Sequence, residues 1–128
     1  MAKKIINSEN APAPVGAYNH SVSHNGTLYM SGQIAINPEN GELVMENIEA
    51  ETHQVMKNME AILKTAGCTF EDVLKCEVFV SDMNNYGRIN AVYSQYFDEA
   101  TAPARALVEV ANLPKFVNVE ISCIAAVK

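Results

Sequence analysis

A two-layer α+β architecture, with two helices on one face of a mixed six-stranded sheet in the order β-β-β-α-β-α-β-β, is the fold class this sequence predicts. Three observations carry the prediction. Asn25-Gly26 sits between two strand-like runs, apolar residues take helical spacing over 48–66 and again over 84–97, and the last quarter of the chain returns to period-two alternation. The 128 residues show no break in composition, which predicts one domain over 1–128 with a single core.

Taken in order, Lys4–Ile6 opens a first strand, and the run Asn10–Gly16 is too rich in Pro and Gly for regular structure. Tyr18–Ser23 and Thr27–Ile34 flank His24-Asn25-Gly26, and an Asn-Gly pair between strands marks a hairpin. Turn residues recur at Asn37–Glu42. The first helix follows, its apolar face made by Ile48, Val55, Met56, Met59, Ile62, Leu63 and Ala66, with Gly67 set to cap its C-terminus. Thr69–Asp72 turns the chain into a strand over 73–80, where Leu74, Cys76, Val78 and Val80 predict one apolar face. Tyr86, Ile89, Tyr93, Tyr96 and Phe97 line one side of the second helix, 84–97. Strands at 105–111 and 117–127 close the chain as an expected long hairpin, since Pro114 between them forbids a continuous strand. Helices on one face leave the other uncovered, so residues such as Val117, Val119, Ile121 and Cys123, or their alternates, are expected to form an apolar self-association surface.

Composition narrows the function. A net charge of −6 and the lack of any basic run disfavour a nucleic-acid partner, because phosphate binding draws its affinity from Lys and Arg. Although 48% of the chain is hydrophobic, no stretch approaches the roughly 18 apolar residues of a membrane span, so no membrane partner is expected. The start, Met1–Asn7, has no apolar signal region, and Cys68, Cys76 and Cys123 form no C-x-x-C pair. Both features suggest a cytoplasmic protein with three buried thiols.

Two charged residues interrupt the C-terminal strands. Arg105 begins an apolar alternation, where a cation is costly without a partner. An ion pair with Glu109, Glu120 or another acid is one solution; a bidentate clamp on a ligand carboxylate is the other, and the planar guanidinium suits it. Glu120, between Val119 and Ile121, either faces solvent or lines a site. If the two strands pair antiparallel, register decides whether Arg105 and Glu120 share a face. Pairing Arg105 with Ser122, for instance, would set Leu107 opposite Glu120. His20, His24 and His53 read as surface or packing residues, and no metal site is expected. Ser31-Gly32-Gln33 lacks the setting of a nucleophile elbow, and no phosphate-binding or pyridoxal-type motif occurs, so no cofactor is expected.

Five ordered motifs span almost the whole chain: Asn10–Tyr18 (NAPAPVGAY), Leu28–Ile34 (LYMSGQI), Asn90–Phe97 (NAVYSQYF), Pro103-Ala104-Arg105, and Leu113-Pro114 with Val119-Glu120-Ile121. In these the chain resembles the Rid/YjgF family, also described as L-PSP-like proteins. The resemblance implies a chorismate-mutase-like fold and a homotrimer whose sheets line a central barrel, with three clefts between subunits. It also implies cofactor-free hydrolysis of 2-imino acids and their enamine forms (2-iminobutanoate, 2-iminopropanoate/2-aminoacrylate) to 2-oxo acids and ammonia. Carried over by position, Arg105 would bind the substrate carboxylate and Glu120 would orient the attacking water. Gly32 would offer backbone contact, while Tyr18, Ser31, Asn90 and Leu107 would complete the substrate-binding set, with some of these groups coming from the adjacent subunit. Leu107 departs from the cysteine that several deaminase-branch members carry two residues after the arginine. Ser122 departs from a second acid found in many relatives. Two rival functions follow from the same resemblance: a non-catalytic sensor or chaperone binding small carboxylates, and an endoribonuclease that inhibits translation, which the acidic charge disfavours.

Overall fold

The structure, a computed structural model, describes residues 2–128. Strands β1 (Lys4–Ile6), β2 (Ser21–His24), β3 (Thr27–Gln33), β4 (Val73–Val80), β5 (Ala104–Glu109) and β6 (Val119–Ala126) form one sheet in the order β1-β2-β3-β6-β4-β5. Every neighbouring pair is antiparallel except β4 with β5, which is parallel. Helix α1 (Ile48–Thr65) packs on β3 and β6, and α2 (Tyr86–Tyr93) packs beside it. Between helices and sheet, Leu28, Met56, Met59, Ile62, Leu63, Val78 and Ile121 are buried.

Local chemistry accounts for the boundaries. Asn25 (φ 49°) and Gly26 (φ 82°) take the two left-handed conformations that a tight hairpin turn requires. The Asn47 side chain accepts from the Ala50 N–H at 2.7 Å, capping α1, and Gly67 (φ 78°) ends it. Thr69 and Asp72 cap each other around a single 3₁₀ turn that leads into β4. The second helix is shorter than its apolar pattern suggests: 3₁₀ turns at Met83–Asn85 and Ser94–Tyr96 flank its α-helical centre.

The expected β5–β6 hairpin does not form. β6 lies between β3 and β4, which suits a strand whose alternate residues Val119, Ile121, Cys123 and Ala125 are all buried. β5 is instead reached from β4 through α2, a β-α-β crossover, and sits parallel at the sheet edge. An edge suits its charges, Arg105 and Glu109. The register that set Arg105 against Ser122 is therefore replaced: Arg105 neighbours Cys76, and Ser122 neighbours Glu77.

Two further expectations change with this topology. Leu74 is exposed, because the register shift between Val73 and Lys75 turns it away while Val73, Cys76, Val78 and Val80 face the core. Val119, Ile121 and Cys123 lie beneath the helices, as Val117 lies buried beside them, so they are not part of the uncovered surface. Their alternates Glu120, Ser122 and Ile124 face the other way, with Tyr29, Lys75, Glu77 and Phe79 alongside. That face is mixed in polarity.

Candidate active site

Arg105 stands on the helix side of the sheet, because its neighbour Cys76 is a core residue. Its Nη1 donates to Asn90 Oδ1 at 2.7 Å and its Nη2 to Tyr86 Oη at 3.0 Å. The Tyr93 ring lies 4.9 Å from the guanidinium carbon. Tyr86, Asn90 and Tyr93 follow one another at helical spacing on α2, so one side of the helix makes the seat. The Tyr93 hydroxyl is buried beside the Cys76 thiol, and burial chiefly holds the phenol neutral by raising its pKa. No carboxylate pairs with Arg105 among the described residues. Glu109, one of the acids weighed as its partner, accepts instead from the Met83 N–H at 2.7 Å. Asn90, Tyr93, Pro103 and Arg105 line an open cavity of about 570 Å³.

Glu120 stands on the opposite side. Its neighbour across the strands is Phe79, three residues from Cys76, and an odd spacing along β4 reverses the face. A register shift between Met30 and Gln33 lifts Ser31 and Gly32 out of regular pairing with β6. Gly32 leaves room for the Glu120 carboxylate: a Cβ at this position would lie 2.5 Å from Glu120 Oε2. No hydrogen bond reaches the Glu120 carboxylate from the described residues, and desolvation by burial raises its pKa above the usual glutamate value.

Glu120 shares a cavity of about 480 Å³ with Tyr18, Ser31, Gly32, Pro114 and Lys115. The Pro-rich loop forms one wall and is pinned by His20, which is buried. His20 Nδ1 accepts from the Ser8 N–H at 3.0 Å, so the proton sits on Nε2 and is donated to the Pro12 carbonyl. Lys115, at the other wall, and its neighbour Phe116 both adopt φ 55°, a conformation costly for side chains of this size.

The predicted residues thus fall into two groups. Tyr18, Ser31, Gly32 and Glu120 line one cavity, and Asn90 and Arg105 the other. Leu107 points the same way as Arg105 but packs against the core, outside both linings. His24 is exposed, and His53 Nδ1 bonds to Tyr96 Oη at 2.8 Å. No group of three or more His, Cys, Asp or Glu among the described residues is placed to hold a metal ion. No helix among them is long and apolar enough to cross a membrane.

Sequence reading missed three supporting residues. Tyr86 and Tyr93 were visible only as part of an apolar helix stripe, though their spacing from Asn90 marks a shared face. Glu51 had no local signal at all. It is buried in α1, and its carboxylate accepts from the Asn118 N–H (2.7 Å), Asn118 Nδ2 (2.8 Å) and the Val119 N–H (3.1 Å). These bonds anchor the start of β6 one residue before Glu120.

The α+β sheet thus carries, among the described residues, an arginine without a carboxylate partner in one cavity and a desolvated glutamate in another, on opposite faces. The chain belongs to the Rid/YjgF family, whose family model, described as Endoribonuclease L-PSP, matches residues 8–127. The RutC family protein slr0709 of Synechocystis sp. is 52% identical over 126 residues, covering 98% of this chain and 97% of that protein. The 2-iminobutanoate/2-iminopropanoate deaminase of Rattus norvegicus is 43% identical over 125 residues, covering 98% and 90%. Among solved structures, TdcF of E. coli with bound serine superposes with a TM-score of 0.91 at 38% identity, covering 98% of this chain and 99% of that one.

Proposed function

We propose that this protein is a hydrolytic deaminase of small 2-imino acids and their enamine tautomers, such as 2-iminobutanoate and 2-iminopropanoate, releasing 2-oxo acids and ammonia. The carrying observation is Arg105: half-buried, oriented by Asn90 and Tyr86, backed by Tyr93, and without a carboxylate partner among the described residues. Guanidinium has five N–H donors, of which two are used, so three remain for a ligand. A planar fork in that state favours a carboxylate. The name of the rat relative and the amino acid bound to TdcF support the same ligand class.

Because Arg105 and Glu120 occupy opposite faces, those of one copy cannot act together on one small molecule. In this reading the protein is a cytoplasmic homotrimer, and the Arg105 cavity of each subunit closes over the Glu120 cavity of its neighbour. Arg105 fixes the substrate carboxylate. Glu120 takes a proton from water as the oxygen bonds to C2, and the C=N π pair moves to nitrogen, which receives that proton. The carbinolamine then collapses: its hydroxyl proton passes through Glu120 to nitrogen, the C=O bond forms, the C–N bond breaks and ammonia leaves. An imine is already electrophilic, so positioning and proton transfer suffice.

The test is release of ammonia and 2-oxo acid from freshly generated 2-iminobutanoate and 2-iminopropanoate, measured against the spontaneous background. The intact protein accelerates release, and Arg105→Ala lowers kcat/KM by about 100-fold or more, the worth of a bidentate charged contact. Binding of 2-oxo acids without acceleration would overturn the deaminase reading in favour of a carboxylate sensor.

A further inference from the structure

The seat of Arg105 contains a donor that has not been assigned a role. Tyr86 Oη accepts the Arg105 Nη2 proton at 3.0 Å, so its own O–H points elsewhere, and no acceptor for it occurs among the described residues. The side chain is 41% exposed at the first residue of α2, and its ring lies 5.8 Å from the guanidinium carbon. Nη2 and Oη therefore form a pair of adjacent donors open to solvent. A phenol that accepts from a cation is polarised and becomes a stronger donor itself. Asn90, by contrast, meets the guanidinium through its carbonyl oxygen and serves only to orient it.

We infer that Tyr86 is a substrate-binding residue, donating its hydroxyl proton to the same carboxylate that Arg105 grips. The inference rests on the deaminase reading and extends it from one cation to a two-residue clamp. Such a clamp selects an anionic acid over its neutral amide more strongly than Arg105 alone, because the phenol hydrogen bond is charge-assisted only when the ligand is a carboxylate.

Steady-state turnover of 2-iminobutanoate by the intact protein and Tyr86→Phe tests it, together with inhibition by 2-oxobutanoate and by its neutral amide. The substitution keeps the ring and removes one exposed oxygen, so folding is preserved. KM and the inhibition constant of 2-oxobutanoate are expected to rise about five- to tenfold, with kcat within about twofold and the constant of the amide rising by a smaller factor. Unchanged constants for the variant, beside a working intact protein, would overturn the Tyr86 role and leave the deaminase reading standing. A fall in kcat with KM unmoved would also overturn it, since the loss of a contact to the substrate carboxylate must appear in KM. Failure of the intact protein to accelerate release would remove both.

Discussion

The two cavities handle charge in opposite ways. Around Arg105, a helix face supplies two acceptors and an aromatic ring, so the cation is held and oriented before any ligand arrives. Around Glu120, the carboxylate is desolvated with no hydrogen-bond partner among the described residues, and its neighbour Gly32 contributes empty space rather than a contact. In the proposed reading this difference suits Arg105 to binding an anion and Glu120 to exchanging a proton. Glu51, by contrast, spends its carboxylate on three N–H donors that fasten the start of β6.

The sharpest break in this contrast is Glu120→Gln, which keeps the shape and removes the base. It should lower kcat by about 1,000-fold while KM changes little, the reverse of the Arg105 variant in which binding suffers. The pH profile gives the sign. A glutamate whose pKa is raised is still protonated at pH values where an ordinary one is ionised, so activity falls as pH drops through that raised value. The same shift means that the cost of ionising Glu120 is absent at low pH, and the associated stability is lost as pH rises through the folded-state pKa. Glu120→Gln should flatten both dependences, as measured by kcat and by the melting temperature across pH.

Next in size is Glu51→Ala, which strands the Asn118 and Val119 N–H groups in the interior. A loss of about 3 kcal/mol is expected, a fall of roughly 10 °C in melting temperature. Because Glu51 anchors β6, the Glu120 half should weaken while the Arg105 half persists. Hydrogen exchange would read this as protection lost at β6 and retained along α2.

Gly32→Ala is the smallest perturbation. The added methyl collides with the Glu120 carboxylate, the movable end of a side chain, so stability drops by only about 1 kcal/mol. Displacing the base should lower kcat about tenfold. If kcat is untouched, Glu120 does not act from the position seen here.

Much of the fold was legible because its signals are local. The Asn25-Gly26 turn, the span of α1 with its glycine stop, and β4 all lie where pattern and turn chemistry put them. The candidate residues were also singled out, as a cation and an acid in apolar strands. Their relation was not. Alternation says that Arg105 and Glu120 each belong to a face, but which faces coincide depends on strand neighbours, and the assumed β5–β6 hairpin was the wrong pairing. Leu74 failed for a related reason, since a bulge shifts the alternation without changing the residues that announce it.

By itself, then, the sequence determined the elements, their order, and the side chains able to do chemistry, because caps, turns and apolar periods act between residues a few positions apart. Only the tertiary structure decided that β6 runs through the middle of the sheet and β5 along its edge. It alone set Arg105 and Glu120 on opposite faces, seated the arginine on Tyr86, Asn90 and Tyr93, and used Glu51 to fasten β6. Those outcomes depend on contacts between residues far apart in the chain, where competing pairings of similar local quality are settled by which one buries the most apolar surface and leaves the fewest polar groups unpaired.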